Sequence, residues 1–231
     1  MIDRLETTAA SRRIALVVGS TGLVGGHLVN LLLKDARFSK VICFQRRPAG
    51  CDHPKLIVHE TLFSPLKPLE NYFHGTHLFL CLGTTLAQAG SKGAFEAIDH
   101  NLSLALATLA RRNGVEALFL VSAVGASVGS PFFYNQVKGR LENAVLDLGF
   151  ARTDIFRPSL LLGDRQHPRL GEQLATWCTP LFLPVLRGAL VRYRPIPAEC
   201  VAAAMVRQAG LDLTGVRILH HDEMYSSAPL D

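Results

Sequence analysis

No apolar run in the 231-residue sequence approaches the ~20 residues that a membrane-crossing helix needs, because Gly, Pro or a charge interrupts each one. A membrane partner is therefore not expected. Cysteines are few: Cys43, Cys51, Cys81, Cys178 and Cys200 are odd in number, widely spaced and without a CxxC pair. That pattern excludes a disulfide framework and fits a reducing compartment. The first residues, Met1 to Arg13, lack an apolar stretch and carry Asp3 and Glu6 among their basic residues. They read as neither a secretory signal nor a transit peptide, so a cytoplasmic location is the expectation. Charged residues make up only 19% against 48% hydrophobic, which excludes disorder and permits a sizeable core.

What the chain does have is a basic surplus, 24 Lys+Arg against 19 Asp+Glu for a formal +5, with 18 of the 24 being Arg. Arginine suits phosphate recognition. No basic stripe with interleaved aromatics accompanies the surplus, so a nucleic-acid partner is set aside in favour of a small phosphate-bearing molecule.

Short apolar runs alternate with segments of helical period, the pattern of βαβ units around a parallel sheet. Strands are expected at Ile14–Val18, Val41–Phe44, Leu56–Val58, His77–Leu82, Ala117–Ser122, Thr153–Phe156 and Val216–His220. Helices are expected at Leu23–Leu33, Gly93–Asn113, Tyr134–Leu148 and Glu199–Gln208. The fold class is α/β, a doubly wound Rossmann-like parallel sheet of about seven strands in the order 3-2-1-4-5-6-7. Residues 1–231 are expected to form a single domain. Pro168, Pro180, Pro184, Pro195 and Pro197 make 164–198 an irregular substrate-side insertion.

The first strand runs into Gly19-Ser20-Thr21-Gly22-Leu23-Val24-Gly25, a G-x-x-G-x-x-G variant of the dinucleotide fingerprint. The first two glycines permit a tight turn and close approach of the backbone to a pyrophosphate. The third lets the helix pack on its strand, and the N–H groups of the helix start face the phosphates. At the end of the second strand, where a carboxylate would hold a ribose 2′-hydroxyl, stands Gln45-Arg46-Arg47. Arg46 and Arg47 could clamp a 2′-phosphate, which favours NADP(H) over NAD(H); a solvated basic loop is the alternative.

Tyr134 and Lys138 stand at i and i+4, on one face of a helix. An ammonium beside a phenol stabilises the phenolate and brings its titration toward a useful range. Lys138 can also hold a nicotinamide ribose. Ser122 closes the fifth strand, where its hydroxyl could bind a substrate carbonyl oxygen or merely satisfy a backbone group. Ser127 and Ser130 compete for the same role.

Together, Gly19–Gly25, Ser122 and Tyr134–Lys138 resemble the short-chain dehydrogenase/reductase superfamily. More narrowly, CLGTT (Cys81–Thr85), VSAVGA (Val121–Ala126), FYNQVKGRLE (Phe133–Glu142), FRPSLLLG (Phe156–Gly163) and YRPIP (Tyr193–Pro197) are similar to its atypical branch of NAD(P)H-binding, Tat-interacting-protein-2-like oxidoreductases. The resemblance implies an NADP(H)-binding domain with a Ser–Tyr–Lys reductase site formed by Ser122, Tyr134 and Lys138. Asn101 would complete a proton relay. Cys81, Leu82, Gly83 and Thr84 would lie beside the adenine ribose or pyrophosphate, and Arg157, Pro158 and Ser159 would border the nicotinamide. The chain departs from some relatives at Val121-Ser122-Ala123, which offers one hydroxyl where they have two, so the active serine stays open.

His220-His221-Asp222-Glu223 carries ligand-type side chains, but neighbours on a strand point to opposite faces, so no metal site is expected. Trp177, Phe182, Leu183, Leu186 and Leu190 either wall a substrate site or cover a sheet edge. The favoured reading is a reductase or dehydrogenase acting on a small carbonyl or alcohol. The alternative is an NADP(H)-binding regulatory or sensor protein. A nucleotide-sugar epimerase is disfavoured, since few residues follow the sixth strand for a substrate domain. Substrate identity and oligomeric state are not legible.

Overall fold

A computed structural model describes residues 13–46, 52–163 and 188–226. Its strands are β1 (Arg13–Val18), β2 (Phe38–Gln45), β3 (Leu56–Glu60), β4 (His77–Leu80), β5 (Ala117–Val121), β6 (Arg152–Phe156), β7 (Leu161–Leu162), β8 (Ile196–Pro197) and β9 (Gly215–Leu219). Seven of them form one parallel sheet in the order β3-β2-β1-β4-β5-β6-β9. This is the doubly wound order that the alternation of runs predicts, the last strand being the seventh of the sheet. Between the strands run helices α1 (Leu23–Lys34), α2 (Leu86–Ala89), α3 (Lys92–Glu96), α4 (Ser103–Arg112), α5 (Phe133–Leu146) and α6 (Ala198–Ala209).

The central strands are apolar on both faces because helices cover both. On one face Ala15 and Val17 of β1, Phe79 of β4 and Phe119 of β5 pack with Leu28 and Leu32 of α1 and Val201 and Met205 of α6. On the other, Leu16, Val18, Leu78 and Leu118 pack with Leu106 and Ala110 of α4 and Leu141 and Val145 of α5. Successive residues of β1 thus serve opposite cores, the period of two expected of a strand.

Three expectations are corrected. The helix expected over Gly93–Asn113 is built from α3, a π-helical turn (Ala97–Leu102) and α4. His220 does not extend the last strand; it caps a short helix, His221–Tyr225. Against the irregular segment expected there, β7 and β8 pair in parallel as a separate two-stranded sheet. They are too short to carry a periodic signal. Of the segment 164–198, residues 164–187 lie outside the described residues, and with them Trp177, Phe182, Leu183 and Leu186. A 3₁₀ turn occupies Gly188–Tyr193.

Candidate active site

All main-sheet strands are parallel, so their C-terminal ends gather the glycine turn, the loop after β4, the end of β5 and the start of α5 on one edge. This is the edge at which open α/β sheets bind ligands. The turn after β1 is fixed by contact. Gly19 has φ +86°, and a Cβ there would stand 2.6 Å from the Cys81 carbonyl carbon. A Cβ on Gly25 would stand 2.0 Å from the Gly19 oxygen, so only glycine lets α1 start this close to β1. Thr21 and Gly22 are exposed, and Ser20, Val24 and Gly25 are buried. Leu23 packs beneath Gly163. The first turn of α1 has no side-chain cap and no acidic residue, which leaves its N–H groups free for an anion. The turn therefore fits a dinucleotide pyrophosphate.

At the end of β2, Gln45 is buried, and its Oε1 accepts a hydrogen bond of 2.9 Å from the Ser20 hydroxyl. Its Nε2 is buried without a partner. Among the described residues β2 itself ends without a carboxylate, and Glu60 at the end of β3 stands in register with Gln45. Arg46 is exposed beside it, and Arg47 lies outside the described residues.

The loop after β4 touches the turn through Cys81 and reaches Lys138 of α5 through Gly83. Burial and the neighbouring Cys43 push the Cys81 thiol up to about 12, so it is neutral and no nucleophile. Leu82 is half-buried against the apolar core below. Gly83 is exposed, and the Thr84 N–H donates to Oδ2 of Asp99 at 2.9 Å.

Asp99 and Lys138 form the centre of the site. The Lys138 Nζ is 2.7 Å from Asp99 Oδ1, with side-chain exposures of 3% and 0%. Burial draws the ammonium's titration down, but Tyr134, Asp99 and Glu142 outweigh it, so the pKa lies above the ordinary lysine value. Tyr134, one turn earlier on α5, is half-buried with its ring 5.4 Å from that of Phe95. One turn later, Glu142 holds Arg157 by two hydrogen bonds, 3.0 Å from Nε and 2.5 Å from Nη2. Asp99, Lys138, Glu142 and Arg157 thus alternate in sign.

The structure brings Tyr134 and Lys138 together and separates others from them. Asn101 is exposed, with its Oδ1 2.8 Å from His100 Nδ1. It lines a surface hollow of about 460 Å³ with Glu70, Thr108 and Arg112. Both residues, Asp99 and Asn101, lie on the π-helical turn, which leaves Asp99 buried and Asn101 exposed. Arg157 is committed to Glu142 rather than free at a nicotinamide. The Pro158 carbonyl accepts from Val124 N–H at 2.8 Å, and the Ser159 hydroxyl donates to the Arg194 carbonyl. Ser122 sits at the end of β5, but its hydroxyl is buried without a partner. Ser127 and Ser130 accept from Gly129 N–H and Phe132 N–H in local turns. Asp99, Gln45 and Glu142 were not singled out from sequence. For Asp99 a signal existed: it shares an i+4 row with Phe95, Ser103 and Ala107, all buried.

Comparison with known proteins places this geometry. The family model described as "NAD dependent epimerase/dehydratase family" matches residues 15–135, more than half of the chain. "Protein FMP52, mitochondrial" of Candida glabrata is 35% identical over 204 residues, 86% of each chain. Its namesake in Eremothecium gossypii is 36% identical over 220 residues, 92% of this chain and 96% of that one. Among solved structures, UDP-glucose 4-epimerase of Thermotoga maritima with UDP-glucose superposes with TM-score 0.68 at 17% identity, over 92% of this chain and 80% of that one. The NAD complex of the Thermus thermophilus UDP-glucose 4-epimerase gives 0.67 at 18%, over 93% and 80%. These two likenesses establish the shared fold. The FMP52 relatives, each named as mitochondrial, overturn the expectation of a cytoplasmic protein. That expectation rested on Asp3, Glu6 and the lack of an apolar stretch in Met1–Arg13, whereas a mitochondrial address is read from basic amphipathic character and needs no apolar stretch. By the family match and the FMP52 relatives together, the chain belongs to the NAD dependent epimerase/dehydratase family and shares its NAD(P)-binding Rossmann-like fold.

Proposed function

We propose that the chain is an NADP(H)-dependent oxidoreductase of the Tat-interacting-protein-2-like branch, acting on a small carbonyl or alcohol in mitochondria. The observation that carries this reading is the buried, charged Lys138 one helical turn from Tyr134, at the sheet edge that also bears the uncapped glycine turn. A bound nicotinamide supplies or accepts the hydride. The residues of the chain do the rest. Backbone N–H groups from Leu23 onward bind the pyrophosphate, the Gly22 N–H being held by the Gly19 carbonyl, and Gly83 leaves room beside the ribose. Lys138 anchors that ribose and stabilises charge on Tyr134, which donates or removes the proton at the substrate oxygen.

The preference for NADP(H) rests on Gln45 and Arg46, where the sequence has an amide and an exposed guanidinium instead of the carboxylate that would hold a 2′-hydroxyl. Comparison of NADPH and NADH binding tests it. Arg46→Ala is expected to weaken NADPH by roughly tenfold and leave NADH unchanged. Equal loss for both dinucleotides contradicts the assignment.

One observation favours a second reading, an NADP(H)-binding regulatory protein. The Ser122 side chain is buried, only 4% exposed, which limits its reach to a substrate. Cofactor binding without turnover across a carbonyl panel supports that reading over the first.

A further inference from the structure

Asp99 lies at the meeting of three elements that the proposed site needs. It belongs to the π-helical turn, it accepts the Thr84 N–H from the loop after β4, and it faces Lys138 of α5. An isolated ion pair this deeply buried gains little stability over an apolar replacement, because both charges lose their hydration. Core packing therefore does not account for it. The pair also borders an opening: a Cβ on the exposed Gly83 would stand 3.8 Å from Asp99 Oδ1 and 4.0 Å from Lys138 Nζ. The charges are covered by a residue without a side chain, at the edge where the cofactor is expected.

We propose that Asp99 is the positioning residue of this site, holding the Lys138 ammonium beneath Gly83. It acts through Lys138, and the Thr84 amide fixes which carboxylate oxygen faces that lysine. The inference rests on the reading of Lys138 as the group that meets the ribose and Tyr134. The titratable groups about Lys138 are Tyr134 and Glu142 on its own helix and Asp99 from the π-helical turn. Glu142 is neutralised by Arg157 from the end of β6, and Glu96 and Arg140 pair with each other at 2.7 Å. Asp99 is thus the carboxylate whose charge Lys138 does not share with an arginine.

The test follows the side-chain ammonium signals of the ¹⁵N-labelled full chain by NMR as pH is raised. Lys138 is the one buried lysine among six, so its signal is distinct. In the wild type it is expected to stay protonated to a higher pH than the exposed lysines. In Asp99→Asn its midpoint is expected to fall by about one pH unit or more, and Asp99→Glu is expected to restore part of the shift. An unchanged midpoint in a folded Asp99→Asn overturns the proposal. Should that variant not fold, the wild-type titration decides: a Lys138 midpoint at or below those of the exposed lysines overturns it. NADPH binding is measured alongside, and the pH at which affinity is lost should move with the ammonium midpoint. Absence of NADPH binding refutes the cofactor reading while leaving the lysine titration to judge Asp99.

Discussion

The Lys138 ammonium and the Asp99 carboxylate stand 2.7 Å apart with neither side chain open to solvent, one helical turn from Tyr134. A buried charge without its partner is far more costly than the pair. Lys138→Met is therefore expected to destabilise the fold by about 3–5 kcal/mol. Lys138→Met with Asp99→Asn should recover much of that loss, because the asparagine still accepts from Thr84 without a stranded charge. Urea denaturation of the two variants checks it, and additive losses would contradict the coupling.

Arg157 and Glu142 tie the end of β6 to α5 through a two-pronged hydrogen bond. Arg157→Ala leaves a buried carboxylate unpaired and should cost about 3 kcal/mol. Arg157→Lys keeps the charge but loses the second bond, so it should fall between the two. Thermal melts of both variants order them.

His77 gives the fold an acid limit. Burial, with Arg13 and Arg152 adding to it, lowers its pKa to about 4. The unfolded chain binds a proton near the ordinary value of about 6.5 while the folded chain does not. Stability is then full above about 6.5 and declines as pH falls toward 4, by on the order of 3 kcal/mol. His77→Phe keeps a ring against Phe38 and Phe119 and should flatten that decline. Denaturant midpoints at neutral and acid pH measure it.

Gly25 is the tightest point of the turn, with no room for a Cβ against the Gly19 oxygen at 2.0 Å. Gly25→Ala must displace the start of α1. It should lower the melting temperature and abolish dinucleotide binding, whereas Gly93→Ala, where a Cβ meets nothing within 4 Å, should do neither.

The sheet order was legible because β1, β2, β4 and β5 each carry a short apolar run followed by a segment of different period, and parallel pairing leaves few ways to arrange them. The glycine turn and the Tyr134–Lys138 spacing were legible for a similar reason, since each is local along the chain. Asp99 was not, because its role depends on a lysine 39 positions later and on a π-helical turn that leaves Asp99 buried and Asn101 exposed. A helical wheel puts Asp99 on the buried row but cannot name its partner. Arg157 reads as a free cation at a strand end until Glu142 is seen beneath it. Gln45 carries no motif, and its burial against Ser20 follows from the turn folding back over the end of β2.

The most direct test of the central claim is the loss of NADPH absorbance when the purified chain meets a panel of small aldehydes and ketones, run beside Tyr134→Phe. The account predicts turnover by the wild type and a fall of about 100-fold or more in Tyr134→Phe, with NADPH affinity little changed. Turnover that survives in Tyr134→Phe, or firm NADPH binding with no turnover of any carbonyl by either protein, would contradict it.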